Sequence, residues 1–419
     1  MTKKTTSRRL TSRSTQVTLG GILGAILLGL AIIAQLTGYD LLGLFPPPAT
    51  ELAPAETGND LAAPLSVFFT APTGSSDRST YAGGLEETLA AAIRGARQTV
   101  DVAAFELNSR PIADALLDRH RQGVRVRLVT DNEHGLDIAL YERYRAATGS
   151  AKEDIRLQFV TDPDDTLLDE LYEAGIPIVD DRRNGLMHNK FVIIDSSEVW
   201  TGSYNLTVND TYRNNNNLVH VRSARVAEDY QVEFNEMFQD RRFGPTSPAN
   251  TPNPRVIVNN VPLEVYFAPE DGVIDRIIEK VNAAQTSMKF MAFSFTENAL
   301  GEAVLRRVAD GLHVEGVVET TGSITQWSEL PKFFCAGLDV RQDGNPYMLH
   351  HKVIILDDQI TIIGSFNFSG SATETNDENL MIIEDPAIAA SYLAEYQRRF
   401  AEGRVPQGID CSTVTPVAP

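Results

Sequence analysis

Two histidines, each two residues ahead of a lysine, open the same pattern twice. His188-x-Lys190 runs on to Asp195 and then Gly202-Ser203-Tyr204-Asn205. His350-x-Lys352 runs on to Asp357 and then Gly364-Ser365-Phe366-Asn367. Every internal spacing agrees. Lysine brings a compact cation, serine and asparagine bring neutral hydrogen-bonding groups, and histidine titrates near neutral pH. Together they suit a phosphate diester, with one histidine to attack and the other to protonate what leaves. A single His-x-Lys is an ordinary strand pair, but two copies with matching tails are not. His120, His134, His220 and His313 lack ligand-like spacing, and no cysteine or carboxylate cluster reads as a zinc or calcium site. No metal and no cofactor is expected.

Strands must position these groups. Phe191–Ile194 and Val353–Leu356 are short, β-branched apolar runs that read as buried strands. Side chains two apart share a strand face, so each His/Lys pair points one way. If the tails are also extended, Ser203 with Asn205 and Ser365 with Asn367 share a face, and Tyr204 and Phe366 pack behind. Asp195 and Asp357 fall at odd offsets from the lysines, which suggests a structural role such as bonding turn amides. His351 points away from His350 and reads as a packed or surface residue. The repeat extends upstream. Leu65-Ser-Val-Phe-Phe resembles Leu263-Glu-Val-Tyr-Phe, and helical patterns follow over 85–97 and 273–284. Strands follow at 99–105 and 287–293, helices open near Arg110 and Glu297, and strands return at 124–130 and 313–318. This alternation predicts an α/β fold with a parallel or mixed sheet in each half. Such a long period marks a duplicated domain.

The paired His-x-Lys-x4-Asp motifs with Gly-Ser-x-Asn tails resemble the phospholipase D superfamily, over roughly Leu65 to Arg404. The resemblance implies two α/β sandwich domains related by a pseudo-twofold axis, with one active site at their joint. It implies a covalent phosphohistidine on one histidine, proton transfer by the other, and no metal requirement. It also gives weight to an acidic residue downstream of each motif. The second half has Asn376-Asp377-Glu378-Asn379 where the first has Asn214-Asn215-Asn216-Asn217. On the family pattern, Glu378 is expected to bond His350 of its own half and favour its protonated form. Asn216 would orient His188 without adding charge. His188 is thus expected to be the nucleophile and His350 the general acid, then base. The expected catalytic set is His188, Lys190, Asn205, His350, Lys352, Asn367 and Glu378. Asp195, Ser203, Asn216, Asp357 and Ser365 are expected to support it.

Lys3, Lys4, Arg8, Arg9 and Arg13 precede Val17–Leu36, a stretch with no charged residue. About 20 residues at ~1.5 Å each cover the ~30 Å hydrocarbon core. The expectation is a cytoplasmic basic tail (1–16), an uncleaved single-pass anchor (17–37) and a Pro-rich tether (38–64), with the catalytic region outside the cytoplasm. Domains at 65–243 and 256–405 follow, joined by a Gly/Pro-rich linker (244–255), with a tail at 406–419. The 419 residues are 42% hydrophobic, enough for two ordinary cores. Cys335 and Cys411 are the only cysteines, and an exported setting permits a bond between them. Formal net charge is −19 despite the basic tail. Asp162, Asp164, Asp165, Asp169, Glu170, Glu173, Asp180 and Asp181 crowd the segment before the first motif and read as a solvated helical face.

Such a field repels polyanions and disfavours nucleic acid. The expected substrate is therefore a phospholipid at a membrane surface, hydrolysed to phosphatidate and a head group by a monomer with one shared site. A nuclease or a transphosphatidylase like cardiolipin synthase uses the same chemistry. A noncatalytic phosphate-binding protein would not need both histidines.

Overall fold

β-Branched runs become strands where expected. A computed structural model describes residues 63–161 and 165–414, so the basic tail, the expected anchor, most of the tether, Asp162 and Asp164 lie outside it. Among the described residues, no helix is long and apolar enough to cross a membrane. The first half supplies β1 (Leu65–Phe69), β2 (Thr99–Ala104), β3 (Arg125–Thr130), β4 (Ile178–Asp180), β5 (Lys190–Ile194), β6 (Glu198–Gly202) and β7 (Asn217–Arg222). They lie in the order β1-β7-β6-β5-β2-β3-β4. The second half supplies β8 (Arg255–Val258), β9 (Val261–Ala268), β10 (Ser287–Ala292), β11 (His313–Val318), β12 (Asp339–Gln342), β13 (Lys352–Leu356), β14 (Ile360–Gly364) and β15 (Glu378–Glu384). Their order is β12-β11-β10-β13-β14-β15-β9-β8, the same topology with β8 added at one edge. In each sheet three strands run parallel (β2-β3-β4 and β10-β11-β12), and the motif strands β5 and β13 join them antiparallel.

Helices cover the outer faces and fill the space between. Leu85–Gly95 and Arg110–Arg121 bury Leu89, Ile93, Ile112 and Leu116 against the first sheet. Val273–Ala283 and Asn298–Ala309 do the same for the second with Ile277, Val281, Leu300 and Val304. Ala224–Phe238 and Pro386–Glu402 share one core with the inner faces of both sheets. Tyr230 shows why: its ring meets Phe191 of β5 at 5.0 Å and Phe267 of β9 at 5.1 Å, both edge-on. The halves are thus joined by a continuous apolar interior. The Gly/Pro-rich segment between them is tied at both ends: the Gly244 amide donates to Asp377, and the Asn253 amide donates to Asp229 at 2.7 Å. Cys335 and Cys411 are disulfide-bonded, holding the C-terminal segment to the end of the helix Leu330–Cys335.

Two motif positions have backbone reasons. A Cβ at Gly202 would sit 2.3 Å from the Asn217 carbonyl oxygen, and one at Gly364 would sit 2.1 Å from that of Asn379. Both φ angles are near +154°, so only glycine lets the chain leave the strand so close to its neighbour. Asp195 and Asp357 turn in left-handed conformation after the motif strands. The Asp195 carboxylate accepts from the amides of Arg97, Gln98 and Thr99, and that of Asp357 from Gln285, Thr286 and Ser287. Both do the turn-bonding job expected of them.

Candidate active site at the seam of the two halves

Lys190 and Lys352 are the first residues of β5 and β13, and His188 and His350 immediately precede these strands. All four are buried. The backbone sets where the histidines go. The His188 amide donates to the Asp377 carbonyl (3.0 Å), and the Asp377 amide donates to Leu186 (2.9 Å). In the mirrored arrangement, the Asn215 amide donates to Met348 and the His350 amide to Asn215, both at 2.9 Å. Each histidine segment therefore pairs with the other half. Acidic side chains beyond β3 and β11 brace the same segments. Asp131 accepts the Met187 amide (3.1 Å) and Glu319 accepts the Leu349 amide (2.7 Å).

This pairing corrects the expected partners. Glu378 does not bond His350. Its Oε2 lies 2.7 Å from Nδ1 of His188 in the opposite half, and Asn216 Oδ1 lies 2.9 Å from Nδ1 of His350. The reason is register. Asp377 and Asn215 are each bonded across the seam, so the next residue, Glu378 or Asn216, is delivered to the other half's imidazole. The motif serines hold these partners: Ser365 donates to Glu378 Oε2 (2.7 Å) and Ser203 to Asn216 Oδ1 (2.9 Å). An ionised carboxylate and an amide oxygen are acceptors only, so each imidazole donates from Nδ1, which leaves Nε2 for the reaction.

Each lysine ammonium donates to the carbonyl of its own histidine, Lys190 at 2.8 Å and Lys352 at 2.9 Å. Each also lies over an aromatic ring that meets the same histidine edge-on, Phe105 for Lys190 and His188, and Phe293 for Lys352 and His350. Asn205 Oδ1 and Asn367 Oδ1 are buried with no hydrogen-bond partner. Tyr204 and Phe366 pack in the outer cores behind them, as the alternation requires.

Burial dominates the electrostatics. It holds both imidazoles well below their usual range, and Lys190 and Lys352 each push both further down. The crossed contacts of Glu378 and Asn216 bring all four to one seam. Burial also lowers Lys190 to about 8 and Lys352 well below its ordinary value. Glu378 is pushed up to about 7 by burial, with Lys190 opposing. The arrangement offers one imidazole from each half and two ammonium groups, which can hold a phosphate and act on it from both sides.

His351 takes the packed alternative of its sequence reading, and several other residues fall differently. His351 is fully buried and packed, with Nδ1 3.2 Å from Asn217 Oδ1 and Nε2 3.2 Å from Glu395. Glu170 and Glu173 of the acidic run are exposed, but Asp180 and Asp181 are buried. This corrects the solvated-face reading for those two. They lie at the end of β4, the edge strand of the first sheet, where loop amides converge, Asp180 accepting from Ile138 and Asp181 from Asn132. The His134 ring lies tilted against Phe105 at 4.7 Å, the ring that also meets His188. Glu106, pushed to about 7 by burial and then by Asp210, is a site carboxylate that no motif marks. Asp210, with Oδ2 3.8 Å from His350 Nδ1, is another. Glu233, Glu236 and Glu270 gather where the sequence suggested no cluster, because Glu270 comes from the other half.

Two like mixed sheets that pool their histidines and lysines at one seam define the phospholipase D class of architecture. Residues 89–238 and 277–400 match the family described as cardiolipin synthase, phospholipase D-like domain; the two stretches span well over half of the chain, which belongs to this family. A phospholipase D of Rickettsia bellii (strain RML369-C) is 29% identical over 159 residues, 36% of this chain and 79% of that protein. A mitochondrial cardiolipin hydrolase of Chlamydomonas reinhardtii is 29% identical over 125 residues, 30% of this chain and 56% of that protein. The crystal structure of phosphatidylserine synthase from Haemophilus influenzae Rd KW20 shares the fold with a TM-score of 0.55 at 14% identity, covering 81% of this chain and 87% of that one.

Proposed function

We propose that this protein hydrolyses the phosphodiester bond of a phospholipid, releasing phosphatidate and the head group, through a phosphohistidine at His188. The observation that carries the assignment is the 2.7 Å contact between Glu378 and His188. The reason differs from the one the sequence suggested. When Nε2 of His188 bonds phosphorus, the ring becomes cationic, and a carboxylate on Nδ1 stabilises that charge as it develops. His350 delivers its Nε2 proton to the leaving oxygen. It then takes a proton from water, which attacks phosphorus and releases His188. Lys190 and Lys352 neutralise the non-bridging oxygens. The chemistry thus draws on side chains that carry the charge a metal would otherwise supply.

Lipid is favoured over nucleic acid by the acidic charge and by the uncharged Val17–Leu36 segment, which would keep the catalytic region beside a bilayer outside the cytoplasm. The names of the relatives, phospholipase D and cardiolipin hydrolase, agree with that choice. The test uses the full chain with phospholipid vesicles and with single-stranded DNA. Acid quenching should trap phosphate on His188, chelator should leave the rate unchanged, and lipid should turn over faster. Faster cleavage of DNA, with binding that weakens steeply in salt, would replace the lipid reading with a nuclease.

A further inference from the structure

The two halves differ in where they keep their carboxylates. Eleven residues after the motif asparagine, the second half has Glu378 and the first has Asn216. Five residues after it, the second half has Ala372 and the first has Asp210. Asp210 is 2% exposed, on the short helix Val208–Tyr212. Its Oδ2 accepts from the Asn205 amide at 2.8 Å and lies 3.8 Å from Nδ1 of His350. Asn216 connects the two. Its side-chain nitrogen donates to the Asp210 main-chain carbonyl at 3.4 Å, while its Oδ1 accepts from His350 Nδ1 at 2.9 Å.

We infer that Asp210 supplies the negative charge that keeps His350 protonated for the leaving group, standing in for the carboxylate the first half lacks at Asn216. This rests on the reading of His350 as general acid. The helix cap does not account for Asp210, whose carboxylate also accepts from the Asn205 amide and the Asn214 side chain. The matching helix Gly370–Glu374 forms in the second half with Ala372 in its place and the same cap: Ser369 accepts the Ala372 amide as Thr207 accepts that of Asp210. The position beside His350 does account for it. That imidazole faces Lys352 and His351 from its own strand and Lys190 and His188 from across the seam, all of which oppose its protonation. Phe293 covers one edge. Asp210 is the carboxylate at its Nδ1 side, with Glu106 behind it near Lys190. Burial raises the Asp210 carboxyl above its usual range, while the Asn214 side chain, the Asn205 amide and the charge of Lys352 favour its ionised form. Asp210 is a positioning residue, acting through His350.

Leaving-group dependence tests this. An alkoxide needs the proton and p-nitrophenolate does not. In the full chain, Asp210→Asn should slow release of an alkyl head group on the order of tenfold to a hundredfold. Cleavage of a p-nitrophenyl phosphodiester should stay within about threefold, and the alkaline limb of the alkyl profile should move to lower pH. Adding Asn216→Glu to Asp210→Asn should restore the alkyl rate, because it returns a carboxylate to His350. Equal losses on both esters without rescue would show a merely structural role. An unchanged alkyl rate and pH profile would also overturn the inference. Should the wild-type chain cleave neither ester, the functional reading fails, and the His350 titration followed by histidine-labelled NMR still decides. Its midpoint should fall in Asp210→Asn, and an unmoved midpoint would refute the role of Asp210.

Discussion

At His350 and His351, neighbouring imidazoles have opposite fates, and the difference is strand alternation. His350 faces the seam with Lys352, whereas His351 is enclosed by Asn217 and Glu395. Lys190→Ala, Lys352→Ala and His350→Ala should each lower kcat by about 10²–10³, the usual cost of losing a preorganised group that meets developing charge. His351→Ala should instead leave kcat per folded molecule unchanged and cost about 1–3 kcal/mol of stability, since it strips a partner from buried Asn217 and Glu395. Activity and denaturant melts of the same preparations separate the two effects. A dead but stable His351→Ala would refute this division. The identity of these residues was legible because type and spacing repeat. Their partners were not. The sequence placed Glu378 beside His350 because it follows the same motif, and only the backbone bonds across the seam deliver it to His188.

The elements followed local pattern closely. Strands β2, β3, β10 and β11 and the helices that precede and follow β2 and β10 fell where period and composition put them, since each buries a face within its own half. Asp180 and Asp181 were misread for the converse reason. Charge in a row reads as solvated, and nothing local reveals that Ile138 and Asn132 bring amides to meet it. The turn after each motif strand gives a prediction at this scale. Asp195→Ala or Asp357→Ala removes the acceptor of three amides that open β2 or β10. Each should cost about 0.5–2 kcal/mol, as loss of a helix cap does, with kcat retained. A fall in kcat with unchanged stability would place these aspartates in the chemistry instead.

For the whole molecule, buried acids set the pH response. Burial raises Asp181 from 3.8 and Glu270 from 4.5 to about 8, and Asp343 and Asp377 from 3.8 to about 7. A carboxyl with a raised folded-state pKa binds its proton more tightly in the native chain. Its contribution is full below about pH 4 and is lost as pH climbs through 7 to 8. Glu395 works the other way. Its folded value, near 2 against an ordinary 4.5, withdraws stability as pH falls through that range. The melting temperature should therefore peak in mildly acidic buffer, near pH 5, and decline toward pH 9. Calorimetry across pH 4–9 checks this, and a melting temperature that rises from pH 5 to pH 8 would contradict it.

The crossed pairing also bears on what duplication made available. Two identical copies meeting at this seam would give both imidazoles the same partner, and nothing would distinguish the two sides of a bound phosphate. Fused in one chain, the copies carry Glu378 against His188 and Asn216 against His350. A symmetric cradle thereby becomes an unequal one, and on the proposed mechanism the difference sets an entry side and an exit side. Neither copy holds this polarity alone, so a change to either partner alters the chemistry of the half it did not come from.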